Sequence, residues 1–283
     1  MIAAIDPTTT TPAAPPVSTP AAPAGRTKQD LLRTVSASRL GTWLQCRLKF
    51  YFRYLAGITK PNTAARHTGT VVHAVLQQWN LARWRRTSLD SDTVRAVFEQ
   101  AWVLPEDESI VWAEDEPEAA AKAEALALVE MYLRESPIPV DERPEAVEVT
   151  VERDLASHGL PILVGVLDLV RAGGRIVDFK TSGKTPNAGM ALHTNEAQLT
   201  AYSLLYREAT DRRESARELH HLVKTKTPKL VVVEDGPATD TQTTRFLRQV
   251  ESYVRGVESE DFVPSPGFGC AACEFFRECR LWS

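Results

Sequence analysis

The 283-residue sequence predicts an α/β protein, and three patterns carry that prediction. Short runs of β-branched and aliphatic residues, bounded by glycine or polar residues, mark strands in the second half of the chain. Longer stretches with apolar residues three and four apart mark helices around them. The third pattern is the run 163–182, where two apolar segments flank Ala172-Gly173-Gly174. A glycine-containing loop of that length joins the strands of a β-hairpin.

Residues 1–30 are mostly proline, threonine and alanine with few large apolar groups, so burial cannot offset the entropy of ordering them. They predict a disordered tail ahead of a single domain over 31–283. Ser36 and Ser38 are N-cap candidates for a first helix carrying Leu40, Trp43, Leu44, Phe50, Tyr51 and Tyr54 at helical spacing. Arg47, Lys49, Arg53 and Lys60 fall among those aromatics, a mixture that suits phosphates and stacked bases and equally suits a solvated amphipathic face. A second helix is expected over 68–85, with Val72, Val75, Leu76 and Trp79 inward and Gly69 and His73 sharing one side. Helical patterning continues over 91–136 until Pro137 and Pro139 end it, and the acidic span 106–118 reads as a solvated surface.

Val147, Val149 and Val151 alternate with Glu148, Thr150 and Glu152, which predicts a half-buried strand. After the hairpin, 195–207 reads as a helix with Leu199, Leu204 and Leu205 inward and Gln198 and Tyr202 one turn apart. Two further strands are expected at 219–223 and 230–233, with Lys224, Lys226 and Lys229 between them, and a last helix at 240–258.

Net charge is −4, so no overall basic field advertises a nucleic-acid partner and any such contact needs local patches. No apolar run approaches the roughly 18 residues of a membrane span, and the N-terminus lacks the basic start and apolar core of a secretory signal. These features predict a cytoplasmic protein with no membrane partner. Gly183-Lys184-Thr185 is not the end of a phosphate-binding loop, because Asp178 stands where that motif needs glycine.

The hairpin concentrates charge. If residues 172–174 form a three-residue loop, Val170 faces Ile176 and Asp168 faces Asp178, with opposed Cβ atoms roughly 5 Å apart. Alternation puts Lys180 on the same face as Asp178. Two carboxylates and an ammonium on one patch suit a hard divalent cation, which takes oxygen ligands and would relieve the repulsion. Lys180 would then orient or deprotonate a bound water, or neutralise charge on a phosphate. A salt-bridged hairpin face explains the same residues. Of the four cysteines, Cys46 stands early, while Cys270, Cys273 and Cys279 form a C-x2-C-x5-C tail. In a cytoplasmic chain this pattern reads as metal binding, by zinc or an iron–sulfur cluster, rather than as disulfides.

Gly165-Val166-Leu167-Asp168, Asp178-Phe179-Lys180 and Gln198-x3-Tyr202, with Gly69-x3-His73 upstream, resemble the motifs of the PD-(D/E)XK nucleases. More narrowly they resemble the RecB-type branch, which includes the nuclease domains of RecB and AddB and the small CRISPR-associated exonucleases. The likeness runs from about residue 36 to the C-terminus. It implies a restriction-endonuclease-like central mixed sheet flanked by helices. It also implies a Mg²⁺- or Mn²⁺-dependent exonuclease acting on single-stranded DNA or DNA ends, with partners in recombination, repair or CRISPR spacer acquisition. His73, Asp168, Asp178 and the carbonyl of Phe179 would hold the ion. Lys180 would activate water, and Gln198 and Tyr202 would support it. Glu148 is implied only as an occasional extra carboxylate. The cysteine pattern resembles the iron–sulfur members, so Cys46, Cys270, Cys273 and Cys279 would hold a 4Fe-4S cluster joining the two ends of the domain; Arg47 stands where family members often have proline. The contrasting expectation is a non-catalytic protein of the same fold that binds DNA ends or scaffolds a complex.

Overall fold

The computed structural model describes residues 25–104, 109–112 and 117–282. Most of the expected tail and most of the acidic span 106–118 lie outside them. The tail's expected boundary is corrected at its end: Lys28–Arg33 form helix α1, fixed by a capping box in which Thr27 and Asp30 bond reciprocally.

Thr34–Val35 (β1) leads to α2 (Ala37–Gln45), capped by Ser36. The first helix is not continuous as expected. Cys46 adopts an extended φ of −165° and separates α2 from α3 (Arg47–Phe50), which runs into a π-helical turn over Tyr51–Leu55. Then come β2 (Asn62–Thr63), α4 (Ala64–Arg85), α5 (Ser91–Trp102), β3 (Ile110–Val111) and α6 (Glu118–Glu135). The remaining elements are β4 (Ala146–Arg153), β5 (Ile162–Arg171), β6 (Arg175–Ser182), α7 (Ala188–Thr210), β7 (Ala216–Val223), β8 (Lys229–Asp235), α8 (Asp240–Glu258) and α9 (Phe276–Leu281).

Among the described residues, six strands form a mixed sheet, ordered β1-β5-β6-β7-β8 with β4 on the other edge of β5. The hairpin register is as expected, with Val170 opposite Ile176, but its ladder stops at Leu169–Val177. Beyond that point β6 leaves β5 and runs parallel to β7 from Arg175 to Ser182, while β1 pairs with the far end of β5 at Ile162 and Leu163. The sheet therefore parts beside Asp168 and Asp178.

Each face of the sheet carries its own apolar core. Val71, Val72, Val75 and Leu76 of α4 and Leu128, Val129 and Tyr132 of α6 cover Leu169, Val177, Phe179 and Leu222 on one face. On the other, α2, α7 and α8 cover Leu163, Leu167, Val170 and Ile176, and Leu199 packs on Leu219. Close packing of α7 needs Gly165, where a Cβ would stand 2.5 Å from Leu205 Cδ1.

The expected even alternation of β4 is broken. Val149 and Val151 join one core and Val147 the other, and across the ladder Leu167 and Val170 share a core that Leu169 does not. Both strands change face at the position where Glu148 lies opposite Asp168, and Glu148 has φ +50°. A non-glycine residue rarely takes that conformation.

Candidate active site

The parting of β5 and β6 puts four elements around one point. Asp168 and Asp178 come from the two strands, His73 from α4 on one side, and Gln198 and Tyr202 from α7 on the other. Asp168 Oδ2 accepts the Phe179 backbone N–H at 3.1 Å, replacing the strand partner that the divergence removes. Asp178 is 1% exposed, and its Oδ1 accepts from Gln198 Nε2 at 2.8 Å. Gln198 Nε2 also donates to the Tyr202 hydroxyl, and Gln198 Oε1 accepts from Lys180 Nζ at 2.9 Å. One amide thus joins the carboxylate, the phenol and the ammonium. Lys180 Nζ stands 2.7 Å from Asp178 Oδ2, yet that oxygen accepts no well-directed hydrogen bond among the described residues.

His73 is held from behind. Its Nε2 lies 2.9 Å from the Phe179 carbonyl, which can only accept, so Nε2 carries the proton and donates. Nδ1 then faces Asp168 Oδ2 at 3.5 Å. In the neutral ring this sets two acceptors against each other. Gly69 lies one turn earlier on α4, facing Thr181 of β6, where a Cβ would make an ordinary contact at 3.4 Å.

The site concentrates negative charge. Burial, followed by the nearby Asp178 carboxylate, raises the Asp168 carboxyl above its ordinary range. Glu148 joins this pair: burial, then Asp168 and Asp178, push its carboxyl up to about 7. Burial and the same two aspartates also raise the Tyr202 phenol, which stays protonated. Three carboxylates in one part-buried pocket with one lysine form an arrangement that a divalent cation would stabilise. The orphaned Asp178 Oδ2 and the opposed His73 Nδ1 and Asp168 Oδ2 fit such an ion, although no three His, Cys, Asp or Glu side chains among the described residues already stand within reach of one shared ion.

The four cysteines converge elsewhere. Cys46, Cys270, Cys273 and Cys279 line one cavity of about 230 Å³ with Leu48 and Phe52. Burial and the three other thiols raise the Cys279 thiol. Arg47–Asp261, Arg53–Glu274 and Lys60–Glu278 ion pairs tie α3 and its neighbours to the C-terminal segment around that cavity.

The family model for the PD-(D/E)XK nuclease superfamily matches residues 34–280. The chain belongs to that superfamily. Its mixed sheet and flanking helices have the superfamily's architecture, and the match spans every residue of both clusters. A solved structure from Eubacterium rectale, described as a candidate exonuclease, is similar at 13% identity and TM-score 0.57 over 91% of each chain. SSO0001 is 14% identical over 86% of this chain and 95% of its own, at TM-score 0.39. Identities this low speak to the fold alone. No curated protein matches the sequence. Among the described residues, no helix is long and apolar enough to cross a membrane.

The structure brings His73, Asp168, Asp178, Phe179, Lys180, Gln198 and Tyr202 together. Glu148 is exposed, as the alternation suggests, but its carboxyl stands close enough to Asp168 and Asp178 to be raised by them. Gly165 was read only as part of a motif; its packing role depends on Leu205, forty residues away.

Proposed function

We propose that the protein is a metal-dependent deoxyribonuclease acting as an exonuclease on single-stranded DNA or DNA ends. The convergence of His73, Asp168, Asp178 and Lys180 where β5 and β6 part carries this reading. His73, Asp168, Asp178 and the Phe179 carbonyl would hold Mg²⁺ or Mn²⁺, the carbonyl joining once the His73 ring releases it; Glu148 stands beside them. A bound ion supplies an acidified water and charge neutralisation at the phosphate.

The chain's own groups do the rest. Lys180, held by Gln198, orients the attacking water by donating to it and offsets the charge that develops on the phosphate. The water oxygen bonds to phosphorus and gives up its proton to solvent, the bridging P–O bond breaks, and the departing oxygen takes a proton back from solvent. Tyr202 fixes Gln198 and with it both Asp178 and Lys180. By the same resemblance we assign the work to recombination, repair or CRISPR spacer acquisition.

We further propose that the four cysteines hold a 4Fe-4S cluster. All four thiols line one cavity, and a distant first cysteine followed by a C-x2-C-x5-C tail supports this reading. A cluster is large enough to be gripped from four sides. Its part is structural: none of the cavity-lining residues belongs to α4, β5, β6 or α7.

End-labelled single- and double-stranded DNA with Mn²⁺ or Mg²⁺ tests the proposal. The native protein should release nucleotides, and Asp178→Ala should slow release by at least about a hundredfold. Equal cleavage by both proteins removes the site assignment. Binding to ends without cleavage by either points to a scaffold of the same fold. A brown protein containing iron and sulfide supports the cluster, and a colourless zinc protein overturns it.

A further inference from the structure

β7 carries two adjacent histidines in opposite circumstances. His220 lies on the α6 side of the sheet, where its Nδ1 meets the Tyr132 hydroxyl at 2.9 Å and its Nε2 meets Glu218 at 2.8 Å. Both nitrogens are satisfied. His221 is 7% exposed, and neither of its ring nitrogens has a hydrogen-bond partner among the described residues. A buried polar group without a partner is a standing cost to the fold, and a functional role is one of the few reasons to keep it.

The register shows what His221 stands beside. β6 and β7 are parallel, with Lys180 opposite His221 and Asp178 opposite Leu219. Neighbouring strands lie about 4.8 Å apart and register partners point to the same face. Leu219 packs against Leu199 of α7, so His221, two residues on, shares the face of α7, Gln198 and Lys180. Lysine has three N–H donors. Lys180 directs one to Gln198 Oε1 and approaches Asp178 Oδ2 with poor direction.

We propose that His221 is a positioning residue for Lys180, offering a ring lone pair to the ammonium once Asp178 turns toward a divalent ion. This inference rests on the nuclease reading. Burial and the Lys180 charge hold His221 below its ordinary range, which keeps the ring neutral and one nitrogen free to accept. With Gln198 on one side and His221 on the other, Nζ stays aimed at the cleft while Asp178 is engaged elsewhere. His221 itself need not touch the DNA.

The test compares His221→Leu, His221→Gln, Lys180→Ala and the double variant His221→Leu/Lys180→Ala in cleavage kinetics and thermal melting. His221→Leu is expected to lower kcat by about tenfold to a hundredfold, to leave KM within about twofold, and to melt no earlier than the native protein. His221→Gln, which restores an acceptor, should recover most of the rate. In the Lys180→Ala background His221→Leu should cost nothing more, because both act through one group. An unchanged kcat in His221→Leu overturns the inference. So does a fall in melting temperature that His221→Gln shares, or a further loss in the double variant. If the native protein and Lys180→Ala are equally inert, the nuclease reading itself fails and takes this inference with it.

Discussion

Glu148 departs furthest from what its neighbours in sequence suggest. A glutamate between valines reads as the solvent side of a strand, and it is exposed there, yet its backbone is bent to φ +50° and its carboxyl feels Asp168 and Asp178. A left-handed non-glycine residue costs about 1–3 kcal/mol, and two neighbouring carboxylates oppose its ionisation. Asparagine tolerates that backbone and carries no charge. Glu148→Asn should therefore raise stability by about 1 kcal/mol while slowing metal-dependent cleavage, as measured by denaturant unfolding and end-label release. A destabilised variant with full activity would make Glu148 merely structural. Asp168, Asp178 and Lys180 were legible because a three-residue loop fixes who faces whom. The left-handed bend at Glu148 was not, since period-two reasoning presumes that the strand never changes face.

At the scale of elements, α7 is set by one absent side chain. Gly165→Val would drive a branched side chain into Leu205, push α7 outward and move Gln198 and Tyr202 with it. Overpacking of this kind costs about 1–3 kcal/mol, and the rate should fall further than the stability loss explains. The expected helix over 195–207 extends in fact from Ala188, capped by Asn187; Gly189 and the polar residues before Asn195 conceal its first turns, whose helicity comes from packing of Ala191.

β7 was less legible. Its Arg217, Glu218, His220 and His221 look solvent-bound, but all are buried. Glu218 accepts from Arg171 and Arg175 and pairs with His220. Burial works against its ionisation, yet the His220 hydrogen bond and the two arginines prevail and hold its carboxyl at about 2. A carboxyl lowered in the folded state stabilises it fully above the unfolded value of about 4.5, and this support is lost as pH falls toward about 2. Acid unfolding of Glu218→Gln should lack that component, and the variant should lose about 1–3 kcal/mol at neutral pH, since Arg171 and Arg175 keep Glu142 and Glu234 as partners.

Over the whole molecule, the two ends are drawn together. Lys28 Nζ donates to the Glu258 carbonyl, Trp43 fills the space over Gly256, and the cysteine cavity joins α3 to the segment after α8. That long-range grouping was legible only because cysteine is scarce and its spacing distinctive. The ion pairs that frame the cavity had no such pattern. A cluster closing so long a loop should contribute roughly 3–5 kcal/mol, by analogy with a covalent cross-link. Cys279→Ser should lose iron and melt several degrees earlier in calorimetry, yet cleave DNA at low temperature, because the catalytic elements lie outside the cavity. Loss of cleavage in a protein still folded at that temperature would give the cysteines a part in the chemistry.

The architecture matters for function through the point where β5 and β6 separate, and that point can be examined directly. Crystals soaked in Mn²⁺ should show an anomalous peak between Asp168, Asp178 and His73, with Lys180 turned from Asp178, and Asp168→Asn crystals should lack the peak. A well-ordered native crystal without manganese there, or with manganese bound only elsewhere, would contradict the account.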